Sequence, residues 1–332
     1  MMAVVEIQDL WKSFRNRRKV IEAVRGVNLA IQEGEVFGFL GPNGAGKTTT
    51  LRMLTTLLPP DKGRAIIAGF DLRNEPYRVR ACIGYVSQSG GADSALTGRE
   101  NAIMQARFYG FSAEKARKRA AELLENLEMT AFADRPARTY SGGQRRRLDL
   151  ALGLVHQPRL LFLDEPSIGL DPQSRAVLWK EVRKLQAAGT TIFLTTHYLD
   201  EADQLCDHLA IINAGQIVAE GTSSQLKQQV AGDVITLSLT QNSIAQDYLR
   251  EQTFVREIHD LPATQAQEQR LQLYVENGEE VLVTVIHLLD RIGVTVHSVT
   301  LARPSLDDVF LRLTGHSLTD VPSQIAGNSW GQ

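Results

Sequence analysis

The stretch Gly41-Pro-Asn-Gly-Ala-Gly-Lys-Thr48 decides the fold class of this chain. It fits the pattern G-x-x-x-x-G-K-[ST], whose glycines let backbone N–H groups surround phosphate oxygens. In this pattern the lysine serves a terminal phosphate and the hydroxyl serves magnesium, which assigns Lys47 and Thr48. The wholly apolar run Val36-Phe-Gly-Phe-Leu40 precedes the loop, and leucines spaced along one helical face follow it. A buried strand, a phosphate-binding loop and a helix are therefore predicted, and the loop alone indicates only nucleotide binding.

The composition indicates a globular chain with more than one domain. Its 332 residues exceed the roughly 100 to 200 of a single domain, and its 43% hydrophobic and 22% charged residues are ordinary for folded proteins. Lys and Arg total 36 against 38 Asp and Glu, a net charge of -2, so no nucleic-acid partner is expected. No run reaches the roughly 18 apolar residues that a membrane-spanning helix needs, so any membrane role is expected to require a partner subunit.

Asp164 and Glu165 close a second apolar run, Leu160-Leu-Phe-Leu163. Similar short runs at residues 83–86, 191–194 and 209–212 predict further strands of a largely parallel sheet, whose carboxyl edge gathers the loops. The plain alternative is a strand that ends in acidic loop residues. Magnesium requires hard oxygen ligands and hydrolysis requires a group that orients water. Asp164 is therefore assigned to the metal and Glu165 to the water.

The segment Ser141-Gly-Gly-Gln144 has two interpretations. Ser and Gln three residues apart form an ordinary helix capping box. The same helix N-terminus, opened by glycines, offers N–H donors and a favourable dipole to a phosphate. As a phosphate clamp it is expected to lie in a different lobe from the first loop, so two copies would pair head to tail across ATP. The following Arg145-Arg-Arg147 is interpreted as a solvated helix face rather than a nucleic-acid patch.

The remaining sequence divides into a helical insertion and a second domain. Residues 95–157 carry helical signals such as the capping box Thr97-Gly-Arg-Glu100 and no convincing strand. Residues 233–301 read as β-α-β-β-α-β, the order of a ferredoxin-like unit, and Pro304-Ser-Leu-Asp-Asp-Val-Phe-Leu-Arg-Leu313 reads as a final helix. The predicted domains are residues 1–225 and 226–316, with a mobile tail at 317–332.

Taken in order, these motifs resemble the ATP-binding subunit of an ABC transporter, over residues from about 4 to 221. The resemblance implies an α/β fold: a P-loop NTPase domain of the ABC type, with a RecA-like core and a helical subdomain at about 95–157, followed by the ferredoxin-like α+β domain. It implies ATP and Mg²⁺ as cofactors. The signature begins with Tyr140 where the family most often has Leu, which changes a packing residue.

The resemblance also assigns residues that carry no motif of their own. Gln88 is expected to bridge magnesium and the transmembrane coupling surface, Asp171 to lie in the loop that crosses a dimer interface, and His197 to contact the terminal phosphate. Without the family, a histidine at a strand end is more often solvated or capping. Phe14 is expected to stack on adenine, with Trp11 as the alternative, although either could equally pack in the core.

The catalytic candidates are Glu165, His197, Lys47 and Gln88, and the metal candidates are Thr48, Gln88 and Asp164. The nucleotide-binding candidates are Phe14, Gly41, Pro42, Asn43, Gly44, Ala45, Gly46, Lys47, Thr48, Thr49, Ser141, Gly142, Gly143, Gln144 and Asp171.

Two longer stretches narrow the resemblance. The segment from Tyr140 to Ala151 and the ending Pro304-Ser-Leu-Asp-Asp-Val-Phe310 are similar to bacterial exporter ATPases of the daunorubicin-resistance type. This implies a separate transmembrane permease subunit, a second copy of this chain, a position on the cytoplasmic face of the cell membrane, and export of a drug-like, lipid or glycan substrate. The alternatives are the ATPase of an importer with a regulatory C-terminal domain and a soluble ABC ATPase outside transport.

Overall fold

A computed structural model describes residues 3–16, 19–229, 233–240, 243–261, 268–302 and 305–315. The predicted tail at 317–332 and Pro304 lie outside these residues. The chain separates into two compact units, the first reaching Ser223 and the second beginning at Ser224. Within the described ranges, no helix combines the length and the apolar character that crossing a membrane would require.

The first unit contains ten strands and seven complete helices among its described residues. The strands are β1 (Ala3–Asn16), β2 (Lys19–Gln32), β3 (Val36–Leu40), β4 (Lys62–Ile67), β5 (Phe70–Asp71), β6 (Ile83–Val86), β7 (Leu160–Asp164), β8 (Thr191–Thr196), β9 (His208–Asn213) and β10 (Gln216–Gly221). The helices are α1 (Lys47–Leu54), α2 (Pro76–Cys82), α3 (Gly98–Phe108), α4 (Ala113–Asn126), α5 (Gly142–Leu154), α6 (Pro172–Ala187) and α7 (Leu199–Leu205). A short helix, α8 (Ser223–Gln229), follows.

The central sheet has the order β10-β9-β3-β8-β7-β6. Its strands are parallel except for the edge strand β10, which pairs antiparallel with β9. Every residue of β3, β7 and β8 is buried, as expected for parallel strands covered on both faces. Phe37, Phe39 and Phe162 all pack around Phe193, with ring centroids 5.5 to 5.8 Å apart. The predicted strands and their parallel arrangement are confirmed, and their carboxyl ends meet at one edge.

A separate antiparallel sheet, ordered β2-β1-β4-β5, completes the strands of this unit. Its pairs are antiparallel, and β1 runs along both β2 and β4. From Val5 onward, Val5 and Ile7 of β1 are buried while Glu6 and Gln8 are exposed. This alternation packs one face of the sheet on the core that also receives β3 and α1.

The predicted helical insertion is confirmed, since residues 98–154 form α3, α4, a short 3₁₀ turn and α5. Thr97 accepts the amide of Glu100, and the Glu100 side chain accepts the amide of Thr97, so the predicted capping box at the start of α3 is present. The interpretation of the arginines after Gln144 as a solvated face is wrong for Arg146. Its side chain is only 7% exposed, because it turns inward from α5 while Arg145 stays at the surface.

The second unit consists of β11 (Asp233–Thr240), α9 (Ser243–Arg250), β12 (Val255–Leu261), β13 (Glu268–Val275), α10 (Gly278–Arg291), β14 (Val296–Ala302) and α11 (Leu306–Thr314). Its four strands form an antiparallel sheet with the order β12-β13-β11-β14. The predicted order of elements is confirmed, and so is the final helix. Asp308 both caps α11 through Ser305 and accepts hydrogen bonds from Gln272 and Tyr274 of β13, which attaches this helix to the sheet.

Candidate nucleotide-binding site

The loop between β3 and α1 has the backbone that a phosphate cradle requires. Gly41 donates its amide to Thr196 O at 3.2 Å, which ties the start of the loop to the end of β8. Gly46 precedes α1 with φ 105°, a left-handed conformation that favours glycine. A Cβ atom there would lie 2.3 Å from Ala23 O, so no other residue fits. The N-terminus of α1 therefore opens toward the loop, where its free amides and dipole favour an anion.

Lys47 lies at the centre of this cradle and is 4% exposed. Its ammonium donates to Gly41 O at 2.7 Å and to Pro42 O at 3.1 Å, and it lies 3.2 Å from Glu165 Oε1. Burial lowers the pKa of Lys47, while the Glu165 carboxylate raises it in opposition. A cation held here among carbonyls is suited to bind a phosphate oxygen.

Thr48 and Asp164, both predicted to bind the metal, lie in contact with each other. The Thr48 hydroxyl donates to Asp164 Oδ1 at 3.1 Å, and Thr195 donates to the same oxygen at 2.7 Å. Burial raises the pKa of Asp164, against the lowering effect of the hydrogen bonds from Thr195 and Thr48. A bound cation would favour the ionised carboxylate, and hydroxyl and carboxylate oxygens are ligands that Mg²⁺ accepts. The donor set therefore fits the metal implied by the loop.

Glu165 has an uncommon backbone conformation and lies close to three other predicted site residues. Its φ is 45°, in the left-handed region that non-glycine residues rarely adopt. Its carboxylate lies 3.2 Å from Lys47 and, at Oε2, 3.4 Å from His197 Nδ1 and 3.5 Å from Gln88 Nε2. His197 Nδ1 has no hydrogen bond of good geometry. Burial raises the pKa of Glu165, but His197 and Lys47 outweigh it and hold the pKa below its usual value.

The structure thus brings together six of the predicted residues at the carboxyl edge of the central sheet: Lys47, Thr48, Gln88, Asp164, Glu165 and His197. A seventh participant, Thr195, was not predicted. It is fully buried on β8, two residues before His197, and contacts Asp164 and Glu165. A threonine in an apolar strand carries no motif, and only its place beside β7 makes it part of the site.

The segment at 141–144 is not part of this cluster. Ser141 accepts the amide of Gln144 at 3.3 Å, and Gln144 Oε1 accepts the amide of Ser141 at 3.1 Å, so the predicted capping box is present. Ser141 and Gly142 are exposed at the N-terminus of α5. Tyr140 donates its hydroxyl to Phe132 O at 2.8 Å and packs edge-on against the Phe132 ring. The larger residue before Ser141 thus has a packing partner of its own.

The other predicted residues occupy the surface. Asp171 caps α6 by accepting the amide of Ser174 at 2.9 Å and its hydroxyl at 2.6 Å. Phe14 on β1 is 38% exposed, with the Lys12 ammonium 5.9 Å from its ring centre. Trp11 is half-buried and donates to Asp9 Oδ1 at 2.6 Å. Neither aromatic residue is part of the hydrophobic core.

Comparison with known proteins covers both units. A family model described as "ABC transporter" matches residues 24–168, and one described as "ATP-binding protein DrrA1-3-like, C-terminal domain" matches residues 221–314. The daunorubicin resistance ATP-binding protein DrrA2 of Streptomyces coeruleorubidus is 45% identical over 89% of this chain and 91% of its own length. The daunorubicin/doxorubicin resistance ATP-binding protein DrrA of Streptomyces peucetius is 43% identical over 95% of this chain and 94% of its own.

Among solved structures, the dimeric post-hydrolysis state of the ATP-binding cassette MJ0796 bound to ADP and Pi has a TM-score of 0.61 and 28% identity. The match covers 66% of this chain and 98% of that one. The sequence similarity to the daunorubicin resistance proteins therefore extends over both units. The structural match to the cassette covers a stretch about as long as the first unit. The chain belongs to the ATPases of ABC transporters, in the family of the daunorubicin-resistance ATP-binding proteins.

Proposed function

We propose that this chain binds and hydrolyses ATP to drive export of a drug-like, lipid or glycan substrate through a separate membrane permease, at the cytoplasmic face of a bacterial membrane. The observation that carries the proposal is the match of residues 221–314 to the C-terminal domain of the DrrA-like proteins. ATP-binding domains are shared by many transporters, whereas this second unit distinguishes the family. The resistance named for its relatives favours an amphipathic drug-like molecule among the three substrate classes.

The proposed binding roles follow from the cradle. Backbone amides of residues 41–49 surround the β- and γ-phosphates, and Lys47 exchanges its carbonyl and carboxylate contacts for phosphate oxygens. A magnesium ion held by Thr48, Gln88 and Asp164 would neutralise charge on the two terminal phosphates. Phe14, exposed on β1, supplies the aromatic face for adenine.

Hydrolysis is assigned to the group around Glu165. Burial raises the pKa of this carboxylate, but His197 and Lys47 hold it below its usual value, so the group is ionised at neutral pH and carries no proton. The lowered pKa makes it a weak base, so its role is to orient the attacking water as well as to accept a proton from it. Gln88 and His197 flank the same carboxylate oxygen, so both side chains are positioned to orient the water or the terminal phosphate. Lys47 lies on the other oxygen and stabilises charge on the transferred phosphoryl group.

Two copies are proposed to close over two ATP molecules. Ser141 and Gly142 are exposed at the start of α5, with Gly143 and Gln144 following them, so their proposed target is the nucleotide of a second copy. Asp171, exposed at the start of α6, is assigned to the same interface. The cassette MJ0796, to which the first unit is similar, has a dimeric structure with ADP and Pi.

The proposal also assigns a domain type to each of the two units. We assign residues 1–225 to the nucleotide-binding domain, with a RecA-like core and a helical subdomain, and residues 226–316 to a ferredoxin-like accessory domain. The β-α-β-β-α-β order and the sheet order β12-β13-β11-β14 support the second assignment.

The test of export expresses the full chain together with its cognate permease, in a host without its main efflux pumps. Accumulation of doxorubicin, followed by its fluorescence, should fall in cells with the wild-type pair and not with the Glu165→Gln variant, which is the matched control. Equal accumulation with both chains, for doxorubicin and for lipid and glycan probes, would refute export. Higher accumulation that requires a secreted binding protein would indicate an importer instead.

A further inference from the structure

Helix α5 begins at the exposed segment 141–144 and passes close to the loops that carry Gln88 and Glu165. Two charged side chains of this helix, Arg146 and Asp149, make the contacts with those loops. Arg146 and Asp149 lie on one face of α5, three residues apart, and are 7% and 6% exposed. Charged side chains are rarely buried unless they are paired or hydrogen-bonded, so the partners of these two indicate their role.

Arg146 joins two catalytic segments. Its guanidinium donates from Nη1 to Ser87 O at 2.9 Å and from Nη2 to Asp164 O at 3.4 Å. Ser87 O belongs to the peptide that leads into Gln88, and Asp164 O belongs to the peptide that leads into Glu165. On the other side of the same peptide, the Glu165 amide donates to the Thr195 hydroxyl. The left-handed backbone of Glu165 is thus flanked by one partner from β8 and one from α5.

Asp149 holds the far end of the loop that carries Gln88. Its Oδ1 accepts the amide of Gly91 at 3.0 Å. Gly90 has φ 79°, and a Cβ atom there would lie 2.8 Å from Asp149 Oδ2, so the loop backbone approaches this carboxylate closely. Arg146 therefore binds the loop just before Gln88, and Asp149 binds it just after.

The helix itself is fixed on the sheet near its C-terminus. A Cβ atom at Gly84 of β6 would lie 2.2 Å from Gly153 O, and one at Gly153 would lie 2.9 Å from a methyl group of Val86. This close contact of backbones leaves α5 little freedom to slide over β6. Because the C-terminal end of α5 is fixed, a movement of Ser141 at its other end would also move Arg146 and Asp149, which lie between the two ends.

We propose that Arg146 and Asp149 are positioning residues that set Gln88 and Glu165 according to the position of the Ser141 motif, through their hydrogen bonds to Ser87, Asp164 and Gly91. The inference rests on the proposed roles of Gln88, Glu165 and the 141–144 segment. Contact of Ser141 with the nucleotide of a second copy would then change the position of the Glu165 carboxylate in its own chain. Neither residue touches substrate, and both act through the backbone of the residues that do.

The central experiment compares Arg146→Met with Arg145→Met, the exposed arginine of the same helix, in the full chain. ATP affinity is measured with a fluorescent nucleotide, and turnover is measured at saturating MgATP. Arg146→Met should lower kcat by about 10- to 100-fold, the range expected when a catalytic group is displaced by a fraction of an ångström to one ångström. Its ATP affinity should stay within about threefold of wild type, since the phosphate loop is unchanged. Arg146→Lys, which can reach one carbonyl, should recover part of the turnover, and Arg145→Met should behave as wild type.

Two Asp149 variants separate positioning from a general loss of stability. Asp149→Asn retains an acceptor for Gly91, whereas Asp149→Ala does not. Hydrogen exchange at the Gly91 amide should accelerate, and kcat should fall, only in the alanine variant. Wild-type kcat in folded Arg146→Met or in Asp149→Ala would overturn the inference. If Arg146→Met fails to fold, Arg146→Lys and Asp149→Ala test the inference instead, and wild-type kcat in these variants would again overturn it. A wild-type chain without ATP hydrolysis would refute the proposed function itself, whereas an active wild type with unaffected variants refutes only the positioning roles.

Discussion

The hydroxyl of Thr195 donates a 2.7 Å hydrogen bond to Asp164 Oδ1 and accepts the amide of Glu165 at 3.0 Å. One buried side chain on β8 therefore orients the metal candidate and fixes the backbone of the hydrolytic candidate. Glu165 needs this support because a non-glycine residue in the left-handed region costs on the order of 1–3 kcal/mol. The Thr195 carbonyl also accepts the Glu165 amide, at 3.1 Å, so the side chain and the backbone of Thr195 both hold this conformation.

Thr195→Val should separate these effects from packing, because valine has almost the same shape and no hydroxyl. The free energy of unfolding should fall by about 1–3 kcal/mol, as buried partners lose a hydrogen bond. Magnesium-dependent turnover should fall as well, since Asp164 loses the Thr195 hydroxyl and the Glu165 amide keeps only the Thr195 carbonyl. Urea unfolding and steady-state ATPase assays measure the two quantities. Thr195→Ser, which keeps the hydroxyl, is the control, and equal turnover in both variants would contradict this role.

The motifs named Lys47, Thr48, Asp164 and Glu165, whereas Gln88 and His197 came only from the family resemblance. The structure brings these six side chains together because each of them ends or follows a strand of the central sheet. The strands at 83–86, 160–163 and 191–194 carry continuous apolar runs, and parallel strands deliver their following residues to one edge. The antiparallel pair β1 and β2 was not predicted, although apolar residues alternate with polar ones at residues 5–8.

Residues that act through tertiary contacts left no local signal. Thr195 resembles any β-branched strand residue, and its partners lie on a different strand. Arg146 stands between two other arginines, so its sequence neighbours suggested a solvated face. Its burial follows from tertiary contacts, since its guanidinium donates to Ser87 O and Asp164 O. For Ser141 both interpretations survive, because the capping box and an exposed helix N-terminus occur together.

Glu165→Gln should bind ATP with near wild-type affinity and lose hydrolysis by roughly two to four orders of magnitude, the contribution usual for a general base. The amide is similar in shape and cannot accept the proton from water. Since ATP is not consumed, this variant should form the closed dimer, which size-exclusion chromatography with light scattering detects. Retained turnover would contradict the role of Glu165.

Ser141→Arg, added to Glu165→Gln, should abolish this dimer, because a long cationic side chain would fill the proposed clamp. The control is Ser112→Arg, which removes the N-cap serine of α4 and so imposes a comparable loss of helix stability away from the clamp. A dimer that survives Ser141→Arg would refute the composite site, and a dimer without ATP would direct attention to the C-terminal unit.

Gly46→Ala should abolish ATP binding, whereas Gly34→Ala should not. Both glycines have positive φ, 105° at Gly46 and 83° at Gly34, so both variants incur the backbone cost of about 1 kcal/mol. Only at Gly46 does the added methyl group collide with a backbone oxygen, Ala23 O. Nucleotide titration and thermal unfolding compare the two. Similar losses of ATP affinity in both variants would mean that conformational strain, not the close contact, governs the loop.

Asp61→Asn should reduce stability in a pH-dependent manner. Asp61 accepts Lys12 Nζ at 2.8 Å and the Ser13 amide at 2.7 Å, and these contacts lower its pKa from 3.8 to about 2. Because the folded pKa lies below the unfolded value, the contribution is complete above the unfolded pKa and disappears as pH falls toward 2. The carboxylate is 38% exposed, so the loss at pH 7 should not exceed about 1 kcal/mol. Urea unfolding should show this difference shrinking between pH 5 and pH 3, and a constant difference would contradict the ion pair as its source.

Phe14→Ala should weaken ATP binding by about 2- to 10-fold, the loss of one aromatic stacking contact of roughly 0.5–1.5 kcal/mol. Phe14 is exposed on β1 and beside the Lys12 ammonium, whereas Trp11 is occupied by its hydrogen bond to Asp9. Trp11→Phe removes that hydrogen bond and keeps a ring, so its ATP affinity should match wild type. Inorganic tripolyphosphate supplies the phosphates without the base, and its inhibition constant should be unchanged by Phe14→Ala because only adenine stacking is lost. If Phe14→Ala leaves ATP affinity intact while Trp11→Ala lowers it, Trp11 is the residue that stacks on adenine.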